Sequence, residues 1–124
     1  MPLLEPLFLM LFAHALADFV LQPEAMGSGK NRHADIHGAE ESLFPVWWYW
    51  LSAHSIIHGG AIYLVVGLVI GSGYAIYFAL AETVAHWLTD FAKCEGWIGM
   101  HMDQAIHISC KLIFAVILTF HLAA

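Results

Sequence analysis

The sequence predicts an all-α fold, with four transmembrane helices packed up-down-up-down as one domain over residues 1–124. Three observations predict it. The chain is 60% hydrophobic and only 11% charged, whereas a soluble domain is about a quarter charged, so this composition suits a polytopic membrane protein. Four apolar stretches are each long enough to cross the hydrocarbon of a bilayer. Each stretch also carries ionisable residues four apart, which places both on one helix face. These are His14/Asp18, His54/His58, His86/Asp90 with Glu82 one turn earlier, and Asp103/His107.

The first helix is expected at about residues 3–21, just long enough to span. Pro2 and Pro6 fall in or before its first turn, where proline is tolerated, and Pro23 follows its end. Leu7 to Ala13 has the length of a signal-peptide core, and Ala15-Leu16-Ala17 looks like a cleavage site. No Lys or Arg precedes it, however, and Glu5 stands where positive charge belongs, so the segment reads as a retained helix. Residues 22–45 are polar and interrupted by Gly27, Gly29, Gly38 and Pro45. They read as a loop, with a short helix around 34–43.

The second helix is expected at about residues 46–70; its entry, Trp47-Trp48-Tyr49-Trp50, has the aromatic character of a membrane interface. Gly71-Ser72-Gly73 reads as a tight turn into a third helix at about residues 74–92. Gly96 and Gly99 mark the next turn, and a fourth helix follows at about residues 100–122. Lys30, Arg32 and Lys93 fall in the two loops on one side, and the other side has no Lys or Arg. The positive-inside rule therefore puts both loops in the cytoplasm and both termini outside, as in a bacterial inner-membrane protein.

Helix rise of about 1.5 Å per residue converts position into depth from the loop side. His14, His54, His86 and His107 fall roughly 10 Å in, with Asp18, Asp90 and Asp103 nearer the surface at about 3–5 Å. His58, Glu82 and Lys111 lie deepest, at roughly 15–18 Å. The opposite half of the four helices is almost purely apolar. Ionisable groups within a membrane are costly and mark function when they share one level.

Imidazole and carboxylate at one level point to a divalent transition metal, with His14, Asp18, His54, His58, His86, Asp90, Asp103 and His107 as candidate ligands. Zinc is the first choice and iron or manganese the second; the donor supply allows two ions. Metal binding of this kind weakens as histidines protonate below about pH 6. The competing account is hydrogen-bonding glue between helices, which suits any single pair better than it suits four pairs together. Lys111 reads as the neutraliser of Glu82 or Asp103, and Lys93 as a side chain reaching the cytoplasmic surface. Gln22 reads as a neighbour of the site or a helix end, and the role of Gln104 stays open. The loop group His33/Asp35/His37 reads as solvated, Lys30 and Arg32 as topology or lipid-headgroup residues, and Met100, Met102, Cys94 and Cys110 as packing residues.

The strings His14-Ala-Leu-Ala-Asp18-Phe-Val-Leu-Gln22, His54-Ser-Ile-Ile-His58, Glu82-Thr-Val-Ala-His86-Trp-Leu-Thr-Asp90-Phe-Ala-Lys93 and Asp103-Gln104-Ala-Ile-His107 resemble the DUF3307 family of small bacterial and phage-associated membrane proteins. The resemblance covers nearly the whole chain. It implies a fold and a polar motif set, and no reaction. A weaker likeness is to small membrane-bound metal-dependent hydrolases.

Three functions stay open. A metal-dependent membrane hydrolase needs an open metal position and a general base, for which Glu82 is the catalytic candidate. A non-catalytic metal-binding subunit of a larger membrane complex, or of a homo-oligomer, needs a closed site. A proton or cation carrier needs a polar path through both halves. No HExxH, nucleophile elbow or P-loop string occurs. The net charge of −6, with four basic residues, excludes a basic nucleic-acid surface. The expected partners are therefore the lipid bilayer and other membrane proteins.

Overall fold

The computed structural model describes residues 3–37 and 45–122, without the side chains of residues 69, 70, 72, 121 and 122. Among these residues the protein is all-helical. Helix α1, Leu4–Ala15, continues as a π-helical turn over Leu16–Val20. The segment expected to be loop holds a short helix α2, Glu24–Gly29, and a 3-10 turn, Asp35–His37. Of the helix expected around 34–43, the described part is the 3-10 turn Asp35–His37, and residues 38–43 lie outside the described residues. Helices α3, Trp47–Ile70, and α4, Ser72–Cys94, are joined by Gly71 alone. Helix α5, Met100–Ile117, continues as a π-helical turn over Leu118–Leu122.

Gly71 has φ +98°, a conformation open to glycine at no steric cost, and this lets the chain reverse in one residue instead of the expected three. Helix α1 packs on α3 and α5, and α4 packs on the same two. Along each contact the residue numbers rise on one helix and fall on the other. Asp18 meets His54 and His58, while Met10 shares a cluster with Ile62 and Val66. Lys93 meets Asp103, Asp90 meets His107, and Glu82 meets Lys111. Neighbouring helices therefore run antiparallel. Gly59 sets the closest α3–α4 approach, since a Cβ there would lie 2.8 Å from the Ala79 carbonyl oxygen. Small residues that let backbones approach this closely are typical of helix packing within membranes.

Among the described residues, two helical stretches are long and apolar enough to cross a membrane by length and composition, Trp47–Leu68 and Met100–Phe120. The other two long helices fall short for identifiable reasons. Helix α1 is short, and α4 carries Glu82, Asp90 and Lys93 along its length. Those α4 charges point inward. Glu82 and Asp90 are each 1% exposed, whereas Tyr77, Leu80, Val84 and Leu88 on the same helix are exposed. The interior divides into two layers. Met10, Ile62, Val66, Ala75, Phe78, Ala115 and Leu118 form a dry apolar core at one end. The other end buries His, Asp, Glu and Lys.

Candidate metal centre

Asp18 is carried by the π-helical turn, whose wide hydrogen bond runs from the Leu21 amide to the Leu16 carbonyl. Such turns are rare and recur at functional sites. Its carboxylate faces histidines from α1 and α3. Oδ1 lies 3.0 Å from His58 Nε2 and 3.3 Å from His54 Nε2, and Oδ2 lies 3.4 Å from His14 Nε2. His54 Nε2 is in turn 3.1 Å from His86 Nε2 on α4. Donor atoms of Asp18, His54, His58 and His86 all fall within 4.8 Å of one another. Four ligands about 2.1 Å from a tetrahedral ion stand roughly 3.4 Å apart. The 3.0, 3.3 and 3.1 Å separations are close to that geometry before any ion enters.

The separate depth layers expected for Asp18 and His58 merge. A helical side chain leans toward its own N-terminus. Because α1 and α3 are antiparallel, Asp18 leans down into the protein and His58 leans up to meet it. The rings also meet laterally: His58 stacks on His86 at 3.6 Å between centroids, and His86 on His107 at 4.1 Å.

A second donor set adjoins the first. Asp90 Oδ1 lies 3.2 Å from His107 Nε2 and 3.6 Å from His86 Nε2, and the three residues' donor atoms also fall within 4.8 Å of one another. Asp103 Oδ1 is 3.4 Å from the same His107 nitrogen. His14 stands beside the cluster, where its Nε2 lies 3.3 Å from Gln104 Oε1. Gln104 Nε2 donates to Asp18 Oδ2 at 3.3 Å and Asp103 Oδ2 at 3.1 Å, so this amide ties α5 to α1.

The charges sort into pairs. Lys111 is bound to Glu82, both fully enclosed. Glu82 Oε1 also lies 3.6 Å behind His86 Nδ1, an orienting position for that ring. Lys93, half-buried, donates to Asp103 Oδ2 at 3.0 Å. Lys30, expected at the lipid surface, is 5% exposed and donates to Asp90 Oδ2 at 2.5 Å and to Gln22 Oε1 at 2.8 Å. Among the described carboxylates of the cluster, Glu82, Asp90 and Asp103 thus have ammonium partners. Among the described residues Asp18 has none within 4.0 Å; its ion-pair neighbours are histidines.

Lys30 is the main residue missing from the sequence-based site. Four stripe acids within the apolar stretches, Asp18, Glu82, Asp90 and Asp103, face one lysine, Lys111, and that imbalance is the available signal that loop cations must fold inward. Its delivery depends on Gly29, where a Cβ would come within 2.8 Å of three atoms of the Trp50 ring. Only a glycine lets α2 lie this close to α3. Trp50 therefore packs inward under the loop, while Trp48 and Tyr49 are exposed.

The remaining candidates stay apart from the centre. His33 Nε2 lies 3.1 Å from Glu95 Oε1, and Arg32 Nε lies 2.6 Å from the same oxygen. Hydrogen bonding from Arg32 holds the Glu95 carboxyl below the usual carboxylate range. His37 Nε2 is 2.8 Å from the Gly29 carbonyl oxygen. Both cysteines are free. Met100 and Met102 are exposed at the start of α5 rather than packed. The family described as "Protein of unknown function (DUF3307)" matches residues 6–124. No curated protein and no solved structure matches the chain.

Proposed function

This chain belongs to the DUF3307 family, and for it we propose a small integral membrane protein of four spans that holds a divalent transition metal near its cytoplasmic face. The observation that carries the metal reading is Asp18. Its carboxylate faces three imidazole nitrogens at 3.0–3.4 Å and no ammonium. A divalent cation supplies the missing charge and uses the lone pairs that converge there. The first ion takes Asp18, His54, His58 and His86. Three nitrogens and one oxygen suit zinc, with iron or manganese next. His14, Gln104 and Asp103 surround the ion, and Glu82 is a positioning residue for His86 rather than a free general base, because Lys111 occupies it.

Four protein donors fill a tetrahedral ion, and closed sites are structural while catalytic ones keep an open position. That favours the metal-binding accessory subunit over the hydrolase for the chain as it stands. The apolar core at the other end disfavours a cation conduit within one protomer. The test is elemental analysis of purified parent, His86→Ala and His33→Ala. About one ion per chain is expected in the parent and in His33→Ala, and a large loss in His86→Ala. A parent with no metal above background, and with melting unchanged by chelator, overturns the metal reading.

Four spans are supported by the inverted distribution of polarity, with Glu82, Asp90, Asp103 and Lys111 enclosed and Phe8, Leu64, Leu68 and Tyr77 outside. Lys30, Arg32 and Lys93 are each paired with a carboxylate, but orientation follows basic residues more than net charge, so both termini are assigned to the outside. After Cys94 and Cys110 are replaced, single cysteines at Ser28 and beyond residue 124 are expected to label from opposite faces of the membrane. Labelling from one face overturns the topology.

A further inference from the structure

Lys30 occupies an unusual place. It belongs to the segment between α1 and α3, yet its ammonium reaches the centre of the helices and takes one oxygen of Asp90, at 2.5 Å. The other Asp90 oxygen faces His107 Nε2 at 3.2 Å and His86 Nε2 at 3.6 Å, with Lys93 at 3.6 Å as a weaker neighbour that is closer to Asp103. Two imidazoles and one carboxylate with donors this close make a three-ligand metal set. A lysine ammonium against that carboxylate supplies the positive charge an ion would bring, and its own charge repels one.

We infer that His86, Asp90 and His107 form a second divalent-metal site, which the ammonium of Lys30 holds closed. The inference rests on the first ion proposed above and extends it. His86 has one lone pair at Nε2, so it serves one ion at a time. When the second ion takes His86, the first keeps Asp18, His54 and His58 and gains an open position. Three protein ligands plus an open position is the arrangement of catalytic zinc, and paired ions are the arrangement of many hydrolytic centres. Withdrawal of Lys30 therefore converts a closed one-metal site into an open two-metal site. Lys30 reaches Asp90 from the end of the short helix α2 and not from a membrane-length helix, so its withdrawal needs no shift of α1, α3, α4 or α5.

The test is metal stoichiometry with Co²⁺ or Zn²⁺ in purified parent, Lys30→Met, Lys30→Gln and Lys30→Met/His107→Ala. Lys30→Gln keeps a hydrogen-bond donor toward Asp90 without the charge, which guards against loss of fold in Lys30→Met. Expected values are one ion in the parent, two in each single variant and one in the double variant. Two Co²⁺ ions this close also couple magnetically, which a second ion bound elsewhere on the surface does not reproduce. One ion in the parent and one in both folded single variants overturns the second site and leaves the first standing. No ion in any of the proteins overturns both.

Discussion

Asp18→Asn is expected to lower thermal stability in metal-loaded protein and to leave it unchanged or raise it in chelated protein. The reversal follows from the two environments of one carboxylate. With metal, Asp18 is the anionic ligand of the set Asp18, His54, His58 and His86, and its loss should weaken binding by about 100-fold or more, beyond the effect of altering an outer partner. Metal present at 100 times Kd stabilises the folded state by about 2.7 kcal/mol, and the variant forfeits most of that. Without metal, Asp18 is a largely enclosed carboxylate facing three histidines and no ammonium. Asparagine has the same shape, still accepts from Gln104, and carries no charge to be compensated. Melting of both proteins in detergent, with and without chelator, checks this. Equal losses in the two conditions would show that Asp18 serves only as a hydrogen-bond acceptor.

The second large effect is expected at Lys111. Its ammonium and the Glu82 carboxylate are both about 1% exposed or less and are bound to each other. Lys111→Met leaves a carboxylate enclosed with no counter-charge, a change that costs about 3–5 kcal/mol when one partner of a buried pair is removed. Replacing both residues, Lys111→Met with Glu82→Gln, removes the orphaned charge and is expected to recover most of that loss. The double variant should nevertheless bind metal more weakly than the parent, because Glu82 lies behind His86 Nδ1 at 3.6 Å. Chemical denaturation or melting of the three variants gives the coupling between the two sites, and metal content separates folding from positioning. A double variant no more stable than Lys111→Met would refute the ion-pair account.

Helix positions were legible because apolar run length and glycine breaks are local properties. The strongest case is α3, expected at about residues 46–70 and found at Trp47–Ile70. The π-helical turns escaped because nothing in Leu16–Val20 or Leu118–Leu122 distinguishes them from α-helix by pattern. The histidine and aspartate stripes were legible because a spacing of four defines one helix face whatever the helix packs against. Their merging into one cluster was not, since depth counted along each helix ignores the opposite lean of side chains on antiparallel neighbours.

By itself the sequence determined that this chain is helical, that it is too apolar for an ordinary soluble surface, and that His14, Asp18, His54, His58, His86, Asp90, Asp103 and His107 share inward stripes. Those are properties of composition and of a fixed helical period, and they need no neighbour to be defined. Only the tertiary structure decided which carboxylate meets which cation. Lys93 turns inward to Asp103, Lys30 passes under the loop to Asp90, and Asp18 is left to the histidines. Long flexible side chains at the end of a helix or in a connecting segment can reach several neighbours, so their partners are set by what is enclosed nearby when the helices close.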